Sequence, residues 1–126
     1  MTDVLGPKAV LRAMGAARRE NDLEAALSFI APESLDQGQP VTREDWRRKW
    51  EQMQAGSPDM EVTTEHSVED GEWIAHRYTI RGTHKADLFG QPPTGERFEV
   101  RGMDMVRVRD GQIIEHWAIA EPLRTR

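Results

Sequence analysis

The sequence predicts an α+β domain in which helices come first and an antiparallel sheet follows, folded around one small-molecule pocket. Three observations carry that expectation. Apolar residues recur at three- and four-residue steps in the first third of the chain, the period of a one-faced helix. From about residue 60 onward the pattern changes to alternation, the period of a strand. Near the end, Asp110-Gly111 separates two alternating runs, which is the strongest short signal for a two-residue hairpin turn. Helices followed by strands are the order of an α+β fold and not of a doubly wound parallel sheet.

Taken in order, Gly6-Pro7 opens a first helix whose apolar face is Val10, Leu11, Met14 and Ala17. Asn21-Asp22 breaks it, and Asp22 is placed to cap a short second helix carrying Ala26, Leu27, Phe29 and Ile30. Residues 32–40 read as a loop, because Pro, Gly and polar residues dominate them. Thr42 and Asp45 have the spacing of a capping box, and Trp46, Trp50 and Met53 then fall on one face of a third helix. That helix stops at Ala55-Gly56-Ser57-Pro58. Strands are expected over 60–68, 73–81, 97–109 and 112–119, with a turn at 69–72 and a Gly/Pro loop over 87–96. There is no repeat, linker or low-complexity tract, so residues 1–126 are expected to form one domain.

Composition excludes several functions. The net charge is -5, and the Arg-rich stretches 43–49 and 97–109 carry interleaved acids, so no concentrated basic face is offered to a nucleic acid. With 0 cysteines, disulfides, thiolate catalysis and cysteine-ligated zinc are all ruled out. No apolar run has the length of a membrane span and the first residues lack the core of a signal peptide, so a cytoplasmic location is expected. No histidine pair has HxxxH or HExxH spacing, and no phosphate loop, dinucleotide fingerprint or nucleophile elbow occurs.

The last hairpin is the most informative passage. If the Asp110-Gly111 turn pairs Arg109 with Gln112 and the ladder runs on regularly, Val106 faces Glu115, Asp104 faces Trp117, and Val100 faces Glu121. One mostly apolar face then holds three carboxylates (Asp104, Glu115, Glu121) and Trp117, while His116 turns to the other side. Carboxylates on an apolar face are costly unless paired, hydrated or used. Desolvation raises their pKa and equips one to take a proton from carbon. A structural alternative stands beside this: Glu115 pairs with an arginine such as Arg77, and Asp104 accepts from helix-end amides. His84 sits where a strand leaves for the 87–96 loop and could reach a pocket mouth; His66 and His76 read as isolated. Trp46 and Trp50 read as core before ligand stack.

The pieces Gly82-Thr83-His84, Phe89-Gly90, Pro92-Pro93-Thr94-Gly95, Asp110-Gly111 and Glu115-His116-Trp117, in this order and spacing, resemble the SnoaL-like polyketide cyclases of the nuclear-transport-factor-2-like superfamily. The resemblance implies a cone: a curved antiparallel sheet, or α+β barrel, closed by three N-terminal helices, usually as a homodimer. It implies ring closure of an aromatic polyketide ester by intramolecular aldol condensation without metal or cofactor. The family acid, normally Asp four residues after the Trp, falls on Glu121, which becomes the expected general base. Asp104 and His84 are then expected to polarise or relay, Trp117, Trp50 and Phe89 to form pocket walls, and Arg77 to orient Glu115. The alternatives are an isomerase or hydroxylase on the same cone, with a protonated Asp104 as donor in the isomerase case, or a small-molecule binder without chemistry.

Overall fold

The computed structural model describes residues 5–123. Helices α1 (Pro7–Arg19), α2 (Leu23–Leu27) and α3 (Arg43–Gly56) combine with strands β1 (Ile30–Asp36), β2 (Gln39–Thr42), β3 (Glu61–Asp70), β4 (Trp73–Thr83), β5 (Arg97–Arg109) and β6 (Gln112–Ala120). The six strands form one curved, unclosed sheet in the order β2-β1-β6-β5-β4-β3. The expected helix starts hold. Pro7 occupies the first turn of α1, where its missing N–H costs nothing. Asp22 accepts from the Ala25 amide, and Thr42 and Asp45 form the reciprocal capping box of α3.

Three expectations are corrected here. The stretch read as a loop contains a hairpin, β1–β2, turned at Gln37-Gly38 with φ of 55° and 81°. Those left-handed values are the signature of a primed two-residue turn, and Pro40 is tolerated because β2 is the sheet edge. Ile30, expected on the second helix, instead opens β1. The sheet is also not wholly antiparallel, because β1 lies parallel to β6.

The helices cover only one face of the sheet. Val10 and Met14 of α1, Ala26 and Leu27 of α2, and Trp46 and Trp50 of α3 pack on Ile74, Val106, Val108 and Ile113. A second, smaller core joins Ile80, Phe98 and Val100 to Leu88 of the 84–96 loop, and Met53 packs against both. Strand β3 is exposed along its whole length. Burial on this scale makes single apolar side chains decisive. Ile74→Ala is expected to lower the unfolding free energy by about 2–5 kcal/mol, whereas Val62→Ala on β3 changes it by less than about 0.5 kcal/mol. Urea denaturation of both variants checks the contrast, and a comparable loss at Val62 would mean that β3 is covered.

Candidate active site

Between the two apolar cores the concave face turns polar. Strand β4 presents Ile74, His76, Tyr78 and Ile80 in alternation, and β5 presents Val106, Asp104, Gly102 and Val100 opposite them. The register places His76 directly across from Asp104 and Tyr78 across from Gly102. His76 Nδ1 lies 2.8 Å from Asp104 Oδ1. A carboxylate can only accept, so Nδ1 carries a proton, and in the neutral imidazole Nε2 is the nitrogen with the lone pair. Nε2 has no hydrogen-bond partner among the described residues, and it is not sealed from solvent.

The third strand joins through a β-bulge. Val108 pairs with Ile113, but Arg107 pairs with Glu115, so Ile114 is the extra residue and every later pair shifts by one. This overturns the regular ladder expected from the sequence, and with it the assignment of faces. His116 now faces inward opposite Val106, while Glu115 and Trp117 face outward. Parallel pairing with β1 sets Asp36 beside His116, and His116 Nδ1 stands 2.8 Å from Asp36 Oδ1. His116 Nε2 reaches to 3.8 Å from Asp104 Oδ2, and Lys49 of α3 closes on Asp36 at 3.2 Å. Trp46 meets the His116 ring edge-on at 5.3 Å. A row Lys49–Asp36–His116–Asp104–His76 therefore crosses five elements, α3, β1, β6, β5 and β4. The His76, His116, Asp36 and Asp104 side chains keep 12–18% exposure, enough to be reached from outside.

The charges in the row hold one another. Burial pushes the Asp104 carboxyl up, but the interactions with His116 and His76 outweigh it and leave its pKa below the ordinary value. Asp36 behaves alike: burial raises it, and His116 and Lys49 bring it down. Asp104 is therefore an anion, not the protonated donor that an isomerase-like reading requires. Burial, then the Asp104 charge, raises the Tyr78 phenol. Among the described residues, no three His, Asp or Glu side chains are grouped to hold a metal ion.

The other expected site residues lie elsewhere. Glu121 pairs with Arg101 on the convex side; its Oε1 accepts from the Arg101 amide at 2.9 Å and its Oε2 from the guanidinium at 2.7 Å. Glu115 lies 3.9 Å from Arg107, not from Arg77, and accepts from the Trp117 indole at 2.6 Å. Arg77 shares the outer face but stands opposite Met103, four positions along β5 from the Arg107 that pairs with Glu115, so it does not reach Glu115. His84 is buried, but as an anchor of its loop: Nε2 donates to the Gln91 carbonyl at 3.2 Å, and Nδ1 accepts from the Thr94 hydroxyl at 3.5 Å. In the same loop Phe89 is half exposed at a left-handed turn, and its neighbour Leu88 is the buried residue. Trp50 is core, 6.1 Å from Trp46 and beneath the Arg18 guanidinium at 4.5 Å. It borders an open groove of about 540 Å³ at the end of α1, which none of the concave polar side chains lines. Of the residues singled out from the sequence, only Asp104 joins the row. His76, His116, Asp36 and Tyr78 were missed, and their signal lay in strand register.

A curved, unclosed sheet with helices on one face, and with paired acids and imidazoles on that covered side, defines the α+β class of the chain. The profile of the SnoaL-like polyketide cyclase family matches residues 8–125, and the chain belongs to that family. It is similar to IdmH, a candidate polyketide cyclase from Streptomyces antibioticus, at 36% identity over 91% of each chain with a TM-score of 0.77. A SnoaL-like polyketide cyclase from Agrobacterium tumefaciens shares the fold at a TM-score of 0.84, covering 93% of this chain and 92% of that one, with 17% identity. The aklanonic acid methyl ester cyclase DnrD of Streptomyces peucetius is 35% identical over 48 residues, 38% of this chain. That match spans only 33% of the curated relative.

The carboxylates give the fold a definite acid limit. Asp36 and Asp104 titrate below their ordinary values, and Asp59 and Glu72 are held at about 2 by hydrogen bonds from Thr83 and from Arg109 and Arg107. Depressed pKa values mean that the folded state binds fewer protons than the unfolded one, so this stabilisation is complete above the unfolded pKa of ~4 and is lost as pH falls towards 2. Urea midpoints between pH 6 and 2.5 should fall steadily below pH ~4.5, and Asp104→Asn should flatten the fall. A midpoint independent of pH would remove the ion-paired row from the folded state.

Proposed function

We propose that this protein is an acid–base enzyme that closes a ring on an aromatic polyketide ester by intramolecular aldol condensation. The observation that carries this reading is the His76–Asp104 pair at 2.8 Å on the covered face, flanked by apolar walls. Asp104 fixes the imidazole tautomer and stabilises the imidazolium, and Nε2 of His76 takes a proton from the carbon next to a carbonyl. His116, held between Asp36 and Asp104, keeps Asp104 ionised. Trp46 offers an aromatic wall beside them. The base role expected at Glu121 passes to this pair, because the Glu121 carboxylate is engaged by Arg101 on the convex face. The row supplies proton transfer without calling on a cofactor, in keeping with an aldol reaction in which no electrons are gained or lost.

The chain is further proposed to work as a homodimer through the convex face. The cross-strand pairs Met103–Ile119 and Met105–Trp117 leave an apolar strip in which Ile119 is 81% exposed, framed by Arg101, Arg107 and Glu115. Met, Trp and Arg are the residues that interfaces enrich. No helix among the described residues is long and apolar enough to cross a membrane.

Turnover of a tricyclic aromatic keto-ester, followed by chromatography with mass detection, tests the chemistry. Asp104→Asn and His76→Gln should each lower kcat by about 100-fold or more, while Glu121→Gln keeps most of it. Full activity in Asp104→Asn would sink the assignment, and loss in Glu121→Gln alone would return the base to the convex side. Sedimentation of Ile119→Asp should show a monomer where the parent shows a dimer; a monomeric parent removes the second proposal.

A further inference from the structure

The ring of Tyr78 lies flat across β5 because residue 102 has no side chain. A Cβ at Gly102 would stand 2.7 Å from Cε1, Cζ and Oη of the tyrosine, too close for any real contact. Directly beyond Gly102 the floor is Ala120, and beyond Asp104 it is Ala118. Four neighbouring positions thus read Gly, Ala, Ala and a flattened Tyr between two tightly packed cores. These small residues lie between Ile80, Phe98 and Val100 on one side and the imidazole row on the other. The Tyr78 hydroxyl makes no hydrogen bond among the described residues, yet it is not sealed from solvent. His76 stands two residues earlier on the same strand face, about 7 Å away along β4. A polar hydrogen held over a small-residue floor, one step from a base, is poised for an acceptor on a bound molecule.

We propose that Tyr78 is a catalytic residue whose hydroxyl donates a hydrogen bond to the carbonyl oxygen of the substrate as that oxygen becomes an enolate. This rests on the acid–base pocket proposed above, and it differs from the expectation that the substrate's own conjugation carries the charge. His76 Nε2 takes the proton from the carbon next to the ester carbonyl. The C–H pair becomes the C–C π bond, and the carbonyl π pair moves onto oxygen, which Tyr78 contacts without giving up its proton. The enolate carbon then attacks the ketone carbon, the ester carbonyl re-forms, and the new alkoxide takes the proton back from His76 as a hydroxyl. Burial and the neighbouring Asp104 raise the phenol, which keeps it a donor throughout. Donation from a fixed dipole that is already in place costs no reorganisation when charge develops.

Two measurements test the assignment. In the keto-ester assay, Tyr78→Phe should lower kcat by about 10²–10³-fold with little change in KM, the effect of removing one oxyanion donor. Gly102→Ala, which keeps the hydroxyl but forces the ring off its floor, should lower kcat in the same direction. Circular dichroism confirms that both variants fold. Calorimetric binding of 6-cyano-2-naphtholate, an enolate mimic, and of 2-cyanonaphthalene, which has the ring but no oxygen, separates the donor from the pocket. The parent should prefer the naphtholate, and Tyr78→Phe should lose about 10-fold or more of that preference while binding cyanonaphthalene as before. Equal preference in parent and variant overturns the role of Tyr78 and leaves the pocket standing. If the parent binds neither probe, the pocket itself fails and Tyr78 with it.

Discussion

One extra residue in β6 decides what the sheet can do. Without the bulge at Ile114, His116 would point to the convex side, and Glu115 and Trp117 would fill the concave side. A one-residue slip moves a whole strand's side chains to opposite faces. With it, His116 enters between Asp36 and Asp104, Trp46 of α3 finds an imidazole edge to pack against, and the apolar strip Met103, Met105, Trp117 and Ile119 is left together outside. The slip is held from both sides. Below it, Arg109 and Gln112 close the hairpin. Above it, the Gln37 amide bonds to both backbone groups of Ala118, at 2.8 Å and 2.7 Å, so a side chain extends the ladder where β1 ends.

Given that register, the polar row follows from electrostatics. A carboxylate placed between two apolar cores is unfavourable alone. Here each carboxylate finds a polar partner: Asp104 has His76 and His116, and Asp36 has His116 and Lys49. Deleting one member leaves the next uncompensated, which is why such rows act as units. The same arrangement determines which member can do chemistry. Asp104 is held too acidic to be a strong base itself, but its grip on Nδ1 makes the opposite nitrogen of His76 the basic atom. For the reaction proposed above, the lowered Asp104 carboxyl favours an imidazole as base over a desolvated carboxylate, the reverse of what three unpaired carboxylates on an apolar face would imply.

The sequence told more about the fold than about the site, and the reason is the range over which each signal acts. Caps and helical periods are local, so Pro7, Asp22 and Thr42 announce α1, α2 and α3 directly. The Asp110-Gly111 turn fixes its first two pairs. It says nothing about Ile114, because a bulge in mid-strand has no composition of its own. The His76–Asp104 pairing depends on β4 and β5 meeting across the 84–96 loop, and no short turn sets that register. Gln37-Gly38 is a missed local signal: a primed turn with proline on both sides was read as loop, which hid Asp36 as a partner of His116. Tyr78 was invisible because the placement of its ring depends on the absence of a side chain at Gly102, one strand away.

The two faces of the sheet therefore carry different side chains and share one constraint. Residues that alternate along β5 send Asp104, Gly102 and Val106 to the covered side and Met103, Met105 and Arg101 to the open side. Any change that shifts the ladder disturbs both at once, while substitutions on one face leave the other in register. On the roles proposed above, this separates chemistry from assembly within a single hairpin. Specificity can then vary through the small residues of the concave floor without touching the convex strip. For the substrate proposed above, Gly102, Ala118 and Ala120 would set how deep a planar ring could settle beside His76. Larger side chains there would raise the floor and press on Tyr78, so substrate size and the position of the phenol are coupled by the same missing methyl groups.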